Sequence, residues 1–181
     1  MQLEQRRRTG FSLIEVMVAL FVLSVGLLGV IKLESVAYAS TNVAAKRSLA
    51  ALEAASLAAS MHVNRGYWTT PDPSGATIAV SGAAVTVPLN APLLAGIIGT
   101  VQVCTAPLVP CLPLNMAAYD LQQWAAALQL VLPNETAAVN CGTAPPVSCM
   151  INITWNENAV AINNQETGAL ASPSYTLYVE P

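Results

Sequence analysis

Residues 11–31 have the sequence FSLIEVMVALFVLSVGLLGVI, an apolar run of 21 residues with one charged side chain, Glu15. A helix of that length spans about 30 Å, the thickness of a bilayer's hydrocarbon core. The apolar core of a secretory signal is shorter, at about 7 to 15 residues. The run is therefore predicted to form a transmembrane helix.

Three basic residues, Arg6, Arg7 and Arg8, come just before this run. Basic residues beside a membrane span favour the cytoplasmic side. The N-terminus is therefore predicted to lie in the cytoplasm, with everything after Lys32 on the other side of the membrane. Glu15 is unusual, because a carboxylate inside an apolar span is costly without a cationic partner or a position near the headgroups.

The helical pattern continues beyond the apolar run, since no proline interrupts residues 11–70. Residues 32–65 are predicted to form an amphipathic continuation of the same helix. Its expected apolar stripe comprises Leu33, Val36, Ala37, Ala44, Leu49, Leu52, Leu57 and Met61. The sequence Asn64-Arg65-Gly66 is expected to end the helix. The head is predicted at residues 66–181, and it contains a proline-rich link at residues 70–75 near its start.

Beyond Gly75 the apolar period changes to two, which is typical of strands. The alternating runs are Ile78/Val80, Val85/Val87/Leu89, Val101/Val103, Ile151/Ile153/Trp155 and Tyr175/Leu177/Val179. Between them, residues 116–132 predict a second helix that ends at Pro133, with an apolar face of Ala117, Leu121, Trp124, Leu128 and Val131. Trp124 is expected to pack in the core. The predicted fold class is α+β, a long helix packed on an antiparallel sheet.

The four cysteines, Cys104, Cys111, Cys141 and Cys149, all follow the membrane run. An even number outside the membrane indicates two disulfides, and four cysteines allow three connectivities. Cys104–Cys111 and Cys141–Cys149 are favoured, because each pair is close in sequence and brackets a proline-containing loop. A zinc site is disfavoured, since there is no C-x-x-C spacing and the one histidine, His62, is far away.

The charge distribution excludes several functions. The formal net charge is −3, and no Lys or Arg occurs after Arg65. The head therefore offers no cationic surface to a phosphate backbone, and no nucleic-acid partner is expected. The sequence shows no catalytic motif, so we expect neither an enzyme nor a cofactor. The patterns Asn134-Glu135-Thr136 and Asn152-Ile153-Thr154 resemble glycosylation acceptors but are interpreted as a turn and a strand, respectively.

The string Arg8-Thr9-Gly10-Phe11-Ser12-Leu13-Ile14-Glu15-Val16 resembles the class III signal of type IV prepilins and type II secretion pseudopilins. The resemblance implies that a prepilin peptidase cuts after Gly10, that Phe11 becomes the methylated N-terminus, and that Glu15 binds or aligns the Phe11 amine of an adjacent subunit. It also implies a leader at residues 1–10. Inner-membrane lipid would surround the helix before the subunit joins other major and minor pilins in a pilus.

A second resemblance is spread along most of the chain. The blocks Ala118-Tyr119-Asp120-Leu121-x-x-Trp124 and Cys149-Met150-Ile151-Asn152-Ile153-Thr154-Trp155, with residues 24–29, 41–42 and 61–64, are similar to PilV-type minor pilins, called type IV pilus modification proteins. This similarity implies a minor pilin with a pilin-like fold that helps to assemble, prime or cap the filament and influences adhesion. Two alternatives stay open: a minor pseudopilin of a type II secretion system, and an adhesin or DNA-uptake head carried on a pilin stalk.

Overall fold

The computed structural model describes residue 10, residues 12–100, residue 104, residues 111–158 and residues 170–181. The chain divides into two compact units, residues 1–41 and residues 42–181. A long N-terminal helix, shorter helices and an antiparallel sheet make up the fold. The predicted α+β class is thereby confirmed.

Helix α1 is Leu13–Val63, 51 residues in length. Its first turn is closed by the carbonyl of Ser12, which accepts hydrogen bonds from the amides of Glu15 and Val16 at 3.0 and 3.3 Å. Because the helix contains no proline, its hydrogen-bond ladder is not interrupted. By length and composition α1 is able to cross a membrane. The predicted continuation of the helix beyond the apolar run is confirmed.

Within the second unit, α1 buries a face made mostly of small side chains: Ala50, Ala54, Leu57, Ala58 and Met61. Leu57 and Met61 were expected there, but Leu52 is 63% exposed and Ala44 is also exposed. The predicted apolar stripe is therefore wrong at these two positions. Hydropathy ranks leucine above alanine as a core residue. In the structure, however, the buried positions Ala50, Ala54 and Ala58 are four residues apart, and their small side chains allow neighbouring elements to pack closer to α1.

The end of α1 is held by a side chain from the predicted stop sequence. Asn64 is buried, its amide donates to the Ser60 carbonyl, and its Nδ2 donates to the Pro113 carbonyl at 2.8 Å. A short helix, α2 (Arg65–Trp68), follows at once and was not predicted. Asn64 thus joins the end of α1 to the helix that begins at Pro113.

Five strands form one antiparallel sheet in the spatial order β2-β1-β3-β4-β7. These are β1 (Thr77–Ser81), β2 (Ala84–Thr86), β3 (Thr136–Cys141), β4 (Cys149–Thr154) and β7 (Ser174–Val179). A separate two-stranded sheet pairs β5 (Glu157–Asn158) with β6 (Leu170–Ala171). The β1–β2 turn is tight, and Gly82 occupies it with φ +57°, a conformation that favours glycine.

One face of the five-stranded sheet supplies its part of the core. Ile78, Val139 and Ile151 lie opposite one another across three strands and are each at most 1% exposed. Ile153 and Val80 extend the same face. The alternation of buried and exposed residues along β1, β3 and β4 is that of a sheet with one covered face.

The sheet differs from the sequence prediction in three ways. Strand β2 ends at Thr86 and Leu89 is 92% exposed, because Pro88 has no amide to continue the ladder. The predicted strand at Val101 and Val103 lies outside the described residues. Strand β3 was not predicted, and Thr136, which was interpreted as part of a turn, is its first residue.

Two further helices lie in the described part of the second unit. Helix α4 is Pro113–Val131, and it starts before the predicted Met116 because proline is well tolerated at the first helical position. The predicted apolar face is buried at Ala117, Leu121, Trp124 and Leu128, and half-buried at Val131. The indole Nε1 of Trp124 donates to the Glu53 carbonyl of α1 at 2.9 Å. The shorter α3 (Pro92–Ile97) was not predicted.

All four cysteines are paired in the structure. Cys141 and Cys149 form a disulfide and are also register partners at the ends of β3 and β4, where both are buried. Cys104 is bonded to Cys111 just before α4. These are the pairs that sequence proximity favours.

Candidate assembly and processing segment

The proposed processing site falls at the very start of the described chain. Gly10 is exposed and has no other heavy atom within 4 Å of the position that a Cβ would occupy. Phe11, the expected mature N-terminus, lies outside the described residues. Ser12, next in sequence, is also exposed and initiates α1. The backbone on both sides of residue 11 is thus uncovered by packing.

Glu15 lies in the first turn of α1 and is exposed. Among the described residues, its carboxylate has no ion pair and no hydrogen bond. Apolar side chains surround it in sequence, from Leu13 and Ile14 to Val16 and Met17. A carboxylate in apolar surroundings needs a cation or a hydrogen-bond donor to compensate for lost hydration. Such a partner would have to come from outside the described residues.

Helix α1 presents a continuous apolar surface in the first unit. Every described side chain from residue 12 to residue 38 is exposed, and the large hydrophobic ones range from 46% at Val36 to 77% at Leu13. Exposed apolar surface on this scale marks a membrane or protein interaction site. At Gly26 and Gly29, no atom beyond the adjacent backbone of α1 lies within 4 Å of the position that a Cβ would occupy, so another helix could approach the backbone closely there.

In the second unit, an ion pair joins α1 to β5. Arg47 Nε and Nη2 donate to Glu157 Oε1 and Oε2 at 3.3 and 3.1 Å, and Trp155 Nε1 donates to Glu157 Oε1 at 3.0 Å. The Glu157 side chain is 4% exposed, whereas that of Arg47 is 62% exposed. The hydrogen bond and charge of Glu157 raise the pKa of Arg47. The carboxylate is therefore fully compensated although it is buried.

A second carboxylate organises the proline-rich link. Asp72 accepts hydrogen bonds from the Tyr67 hydroxyl at 2.8 Å and from the amides of Leu93 and Leu94 at 3.0 and 3.2 Å. It thereby satisfies free amides in the first turn of α3. Burial, together with the hydrogen bond and charge of Asp72, raises the pKa of Tyr67.

A shallow groove of about 250 Å³ lies between α1 and α4. Glu53, Ser56, Ser60 and Asp120 are among its lining residues. Burial raises the pKa of Asp120. Both serine hydroxyls donate to carbonyls of their own helix, so the groove's polar groups mainly serve local structure.

The described residues contain no group of three or more His, Cys, Asp or Glu side chains placed to hold a metal ion. Sequence reasoning missed the contacts of Arg47 and Glu157, which are 110 positions apart. It also missed the role of Asp72. No local sequence pattern predicts either contact. The one weak signal was Glu157, a carboxylate two residues after Trp155 in a chain with few charged residues.

The N-terminal segment matches a known protein-family model. Residues 5–31 match the family model described as the Prokaryotic N-terminal methylation motif. This segment contains the basic cluster, Gly10, Glu15 and the whole apolar run. The match supports a type IV pilin-like subunit and implies N-terminal processing by a prepilin peptidase. No curated protein and no solved structure matches the chain.

Proposed function

We propose that the chain is a minor pilin, a subunit that helps to assemble, prime or cap a type IV pilus through its N-terminal helix. The observation that carries the proposal is Glu15, an exposed carboxylate without a partner among the described residues, one turn into an apolar helix and five residues after Gly10. The methylation motif, which matches residues 5–31 and so includes both residues, also supports the proposal.

Processing comes first in this proposal. A prepilin peptidase cuts after Gly10, removes residues 1–10, and leaves Phe11 as an N-terminal amine that is then methylated. The cut also removes Arg6, Arg7 and Arg8, the basic cluster that favours the cytoplasmic side. The remaining apolar helix can then be withdrawn from the membrane.

Glu15 then supplies the directional contact. The Phe11 amine of an adjacent subunit is a cation that can pair with the carboxylate of Glu15. In apolar surroundings both groups are costly when unpaired, so correctly staggered subunits are favoured over misaligned ones. The same pairing gives the carboxylate the partner that α1 does not provide.

The apolar surface of α1 serves two environments in turn. Residues 11–31 lie in lipid before assembly, with the N-terminus in the cytoplasm and the head in the periplasm of a bacterial inner membrane. In the filament, helices of other major and minor pilins replace that lipid. Residues 32–65 continue the helix, and residues 66–181 form the head exposed on the pilus. The blocks around Tyr119 and Trp155 support the PilV-type assignment within this family.

The experiment compares two variants of glutamates that are exposed on the same helix, Glu15→Ala and Glu34→Ala. Each is expressed in the native host in place of the wild-type chain, and sheared pili and membranes are assayed by immunoblot. We expect Glu15→Ala to reach the membrane with a folded, disulfide-bonded head but to be reduced at least tenfold in pili. Glu34→Ala should be incorporated normally.

Normal incorporation of Glu15→Ala would refute the assembly role. If the wild-type chain copurifies with a type II secretion apparatus and is absent from sheared pili, the protein is a minor pseudopilin and the proposed pilus function is wrong. Loss of both variants from the membrane would show that the helix tolerates no change, and would contradict the specific role of Glu15.

A further inference from the structure

Glu135 is buried just after the end of α4 and has no partner among the residues that the structure describes. Its side chain is 4% exposed, and Oε1 is buried without a hydrogen bond. Within the described residues, no donor or cation contacts either carboxylate oxygen. Glu157, the second buried carboxylate in the described part of the chain, has both Arg47 and Trp155 as partners. The contrast singles out Glu135 as a buried carboxylate that still needs a compensating group.

The backbone places Glu135 in this position. Helix α4 ends at Val131, Pro133 follows, and Asn134 adopts φ 50°, a left-handed conformation that reverses the chain before β3 begins. The amide of Asn156 donates to the Pro133 carbonyl at 3.2 Å and pins the turn. Glu135 is therefore held at this place by a fixed turn and by the start of a central strand.

Glu135 lines a cavity of about 450 Å³. The other polar side chains that line this cavity are neutral and carry hydroxyl or amide groups. They are Ser81, Gln129, Asn134 and Thr136, and each of these is exposed at the rim. Within the described part of the chain, none of the four side chains makes a hydrogen bond. The cavity thus combines one buried carboxylate with uncommitted hydroxyl and amide oxygens.

Electrostatics at this site favour a cation. The C-terminal end of a helix carries partial negative charge, and α4 ends here. The carbonyl of Gln129 has no helical hydrogen bond from residue 133, because Pro133 has no amide hydrogen. No Lys or Arg occurs between Gly66 and Pro181, so the surrounding sequence of the head provides no counter-charge.

We propose that this cavity binds one divalent cation of the Ca²⁺ or Mg²⁺ type, with Glu135 as its charged ligand. Carboxylate, hydroxyl, amide and main-chain oxygens are the ligands that these hard cations take, and water completes their coordination. Affinity for these cations rises with the number of charged ligands, so a site with one carboxylate should bind no more tightly than extracellular calcium modules, with a Kd of about 10⁻³ M or weaker. The inference does not depend on the proposed assembly role.

The test uses the full chain in detergent micelles, stripped with a chelator. Binding of CaCl₂ and of MgCl₂ is measured by isothermal titration, with NaCl at matched ionic strength as the reference. Glu135→Gln removes the charge with little change in size, and Glu180→Gln is the matched change at an exposed carboxylate. We expect one site per chain, weakened at least tenfold by Glu135→Gln and unchanged within twofold by Glu180→Gln.

Thermal unfolding gives a second readout. At a Ca²⁺ concentration of ten times Kd, the Tm of the wild type should rise by roughly 3 to 6 °C. Glu135→Gln should lose this rise and have a higher Tm than the wild type in chelator, because no unpaired charge remains buried. Gln129→Ala changes an exposed side chain that lines the cavity and should weaken cation binding about threefold. If Glu135→Gln does not fold, binding by Gln129→Ala tests the proposal instead.

Equal binding by the wild type and Glu135→Gln would overturn the proposal. So would the absence of any Ca²⁺ or Mg²⁺ binding above the NaCl reference, or a Ca²⁺-induced rise in Tm that persists in Glu135→Gln.

Discussion

Arg47 and Glu157 form an ion pair with two hydrogen bonds, although 110 positions separate them in the sequence. The pair joins α1 to the short strand β5. Trp155 adds a third hydrogen bond to the same carboxylate. A buried carboxylate with these partners fixes the second half of α1 against the C-terminal part of the fold more specifically than apolar contact alone.

Arg47→Ala should destabilise the second unit, because it leaves the buried Glu157 with Trp155 as its one remaining described partner. Urea unfolding followed by far-ultraviolet circular dichroism measures the effect. Lys46→Ala is the matched control, since Lys46 is the neighbouring cation and has no partner among the described residues. The midpoint should fall clearly for Arg47→Ala and stay near the wild-type value for Lys46→Ala. Equal midpoints for the two variants would contradict a structural role for the pair.

Trp124→Phe should cost about 1 to 3 kcal/mol in the free energy of unfolding. The variant loses the hydrogen bond from the indole Nε1 to the Glu53 carbonyl and leaves unfilled volume between α1 and α4. Leu130→Ala, on the same helix at a side chain that is 87% exposed, should cost far less. If both variants unfold at the same denaturant concentration, Trp124 does not link the two helices.

Replacing both Cys141 and Cys149 by alanine should cost about 2 to 4 kcal/mol. The disulfide closes a short loop between two paired strands, and both sulfur atoms are buried, so the change adds unfilled space to the lost cross-link. The corresponding double change at Cys104 and Cys111, where Cys111 is only half-buried, should cost less. Thermal unfolding without reductant compares the two, and the reverse order would contradict this account of the core.

Asp120→Asn should raise the stability of the second unit near pH 7. Burial raises the pKa of Asp120, so the folded state favours the protonated form more than the unfolded state does. The favourable contribution is present below the unfolded value of 3.8 and is lost as the pH rises through the folded pKa. The gain from Asp120→Asn should therefore shrink below pH 3.8.

Gln123→Ala, which alters the same groove without a titrating group, serves as the control for Asp120→Asn. Thermal unfolding of both variants across the pH range measures the effect. A gain from Asp120→Asn that is constant with pH, or a loss of stability at pH 7, would show that burial of the carboxylate is not what sets its effect.

The elements that the sequence predicted best are those with a strong local pattern. Helix α4 has apolar side chains at the 3.6-residue period, and its predicted face at Leu121, Trp124 and Leu128 is buried. Helix α1 has no proline and a long apolar run. In both cases the residues that form the element also carry the signal, so sequence-local reasoning is sufficient.

Strand β3 was missed because its residues, Thr136 to Cys141, are small and polar for a central strand. Its burial comes from pairing with β1 and β4 on both sides, which no local propensity encodes. The alanine face of α1 was missed for a related reason, since alanine is buried there by close packing rather than by hydropathy. The Glu157 contact requires tertiary structure, because its partner Arg47 is remote in sequence.

The candidate site divides in the same way. Gly10 and Glu15 were recognisable from the N-terminal motif, since the spacing of basic cluster, glycine and glutamate is local. The cavity at Glu135 was not recognisable, because Ser81 and Gln129 come from a hairpin and a helix that only the fold brings together.

The most direct test of the account is the intact mass of the mature protein purified from the membranes and pili of its native host. The account predicts a chain that begins at Phe11 and carries one N-terminal methyl group, with residues 1–10 absent. A protein that still begins at Met1 in both fractions, with no methylated Phe11 terminus, would contradict it.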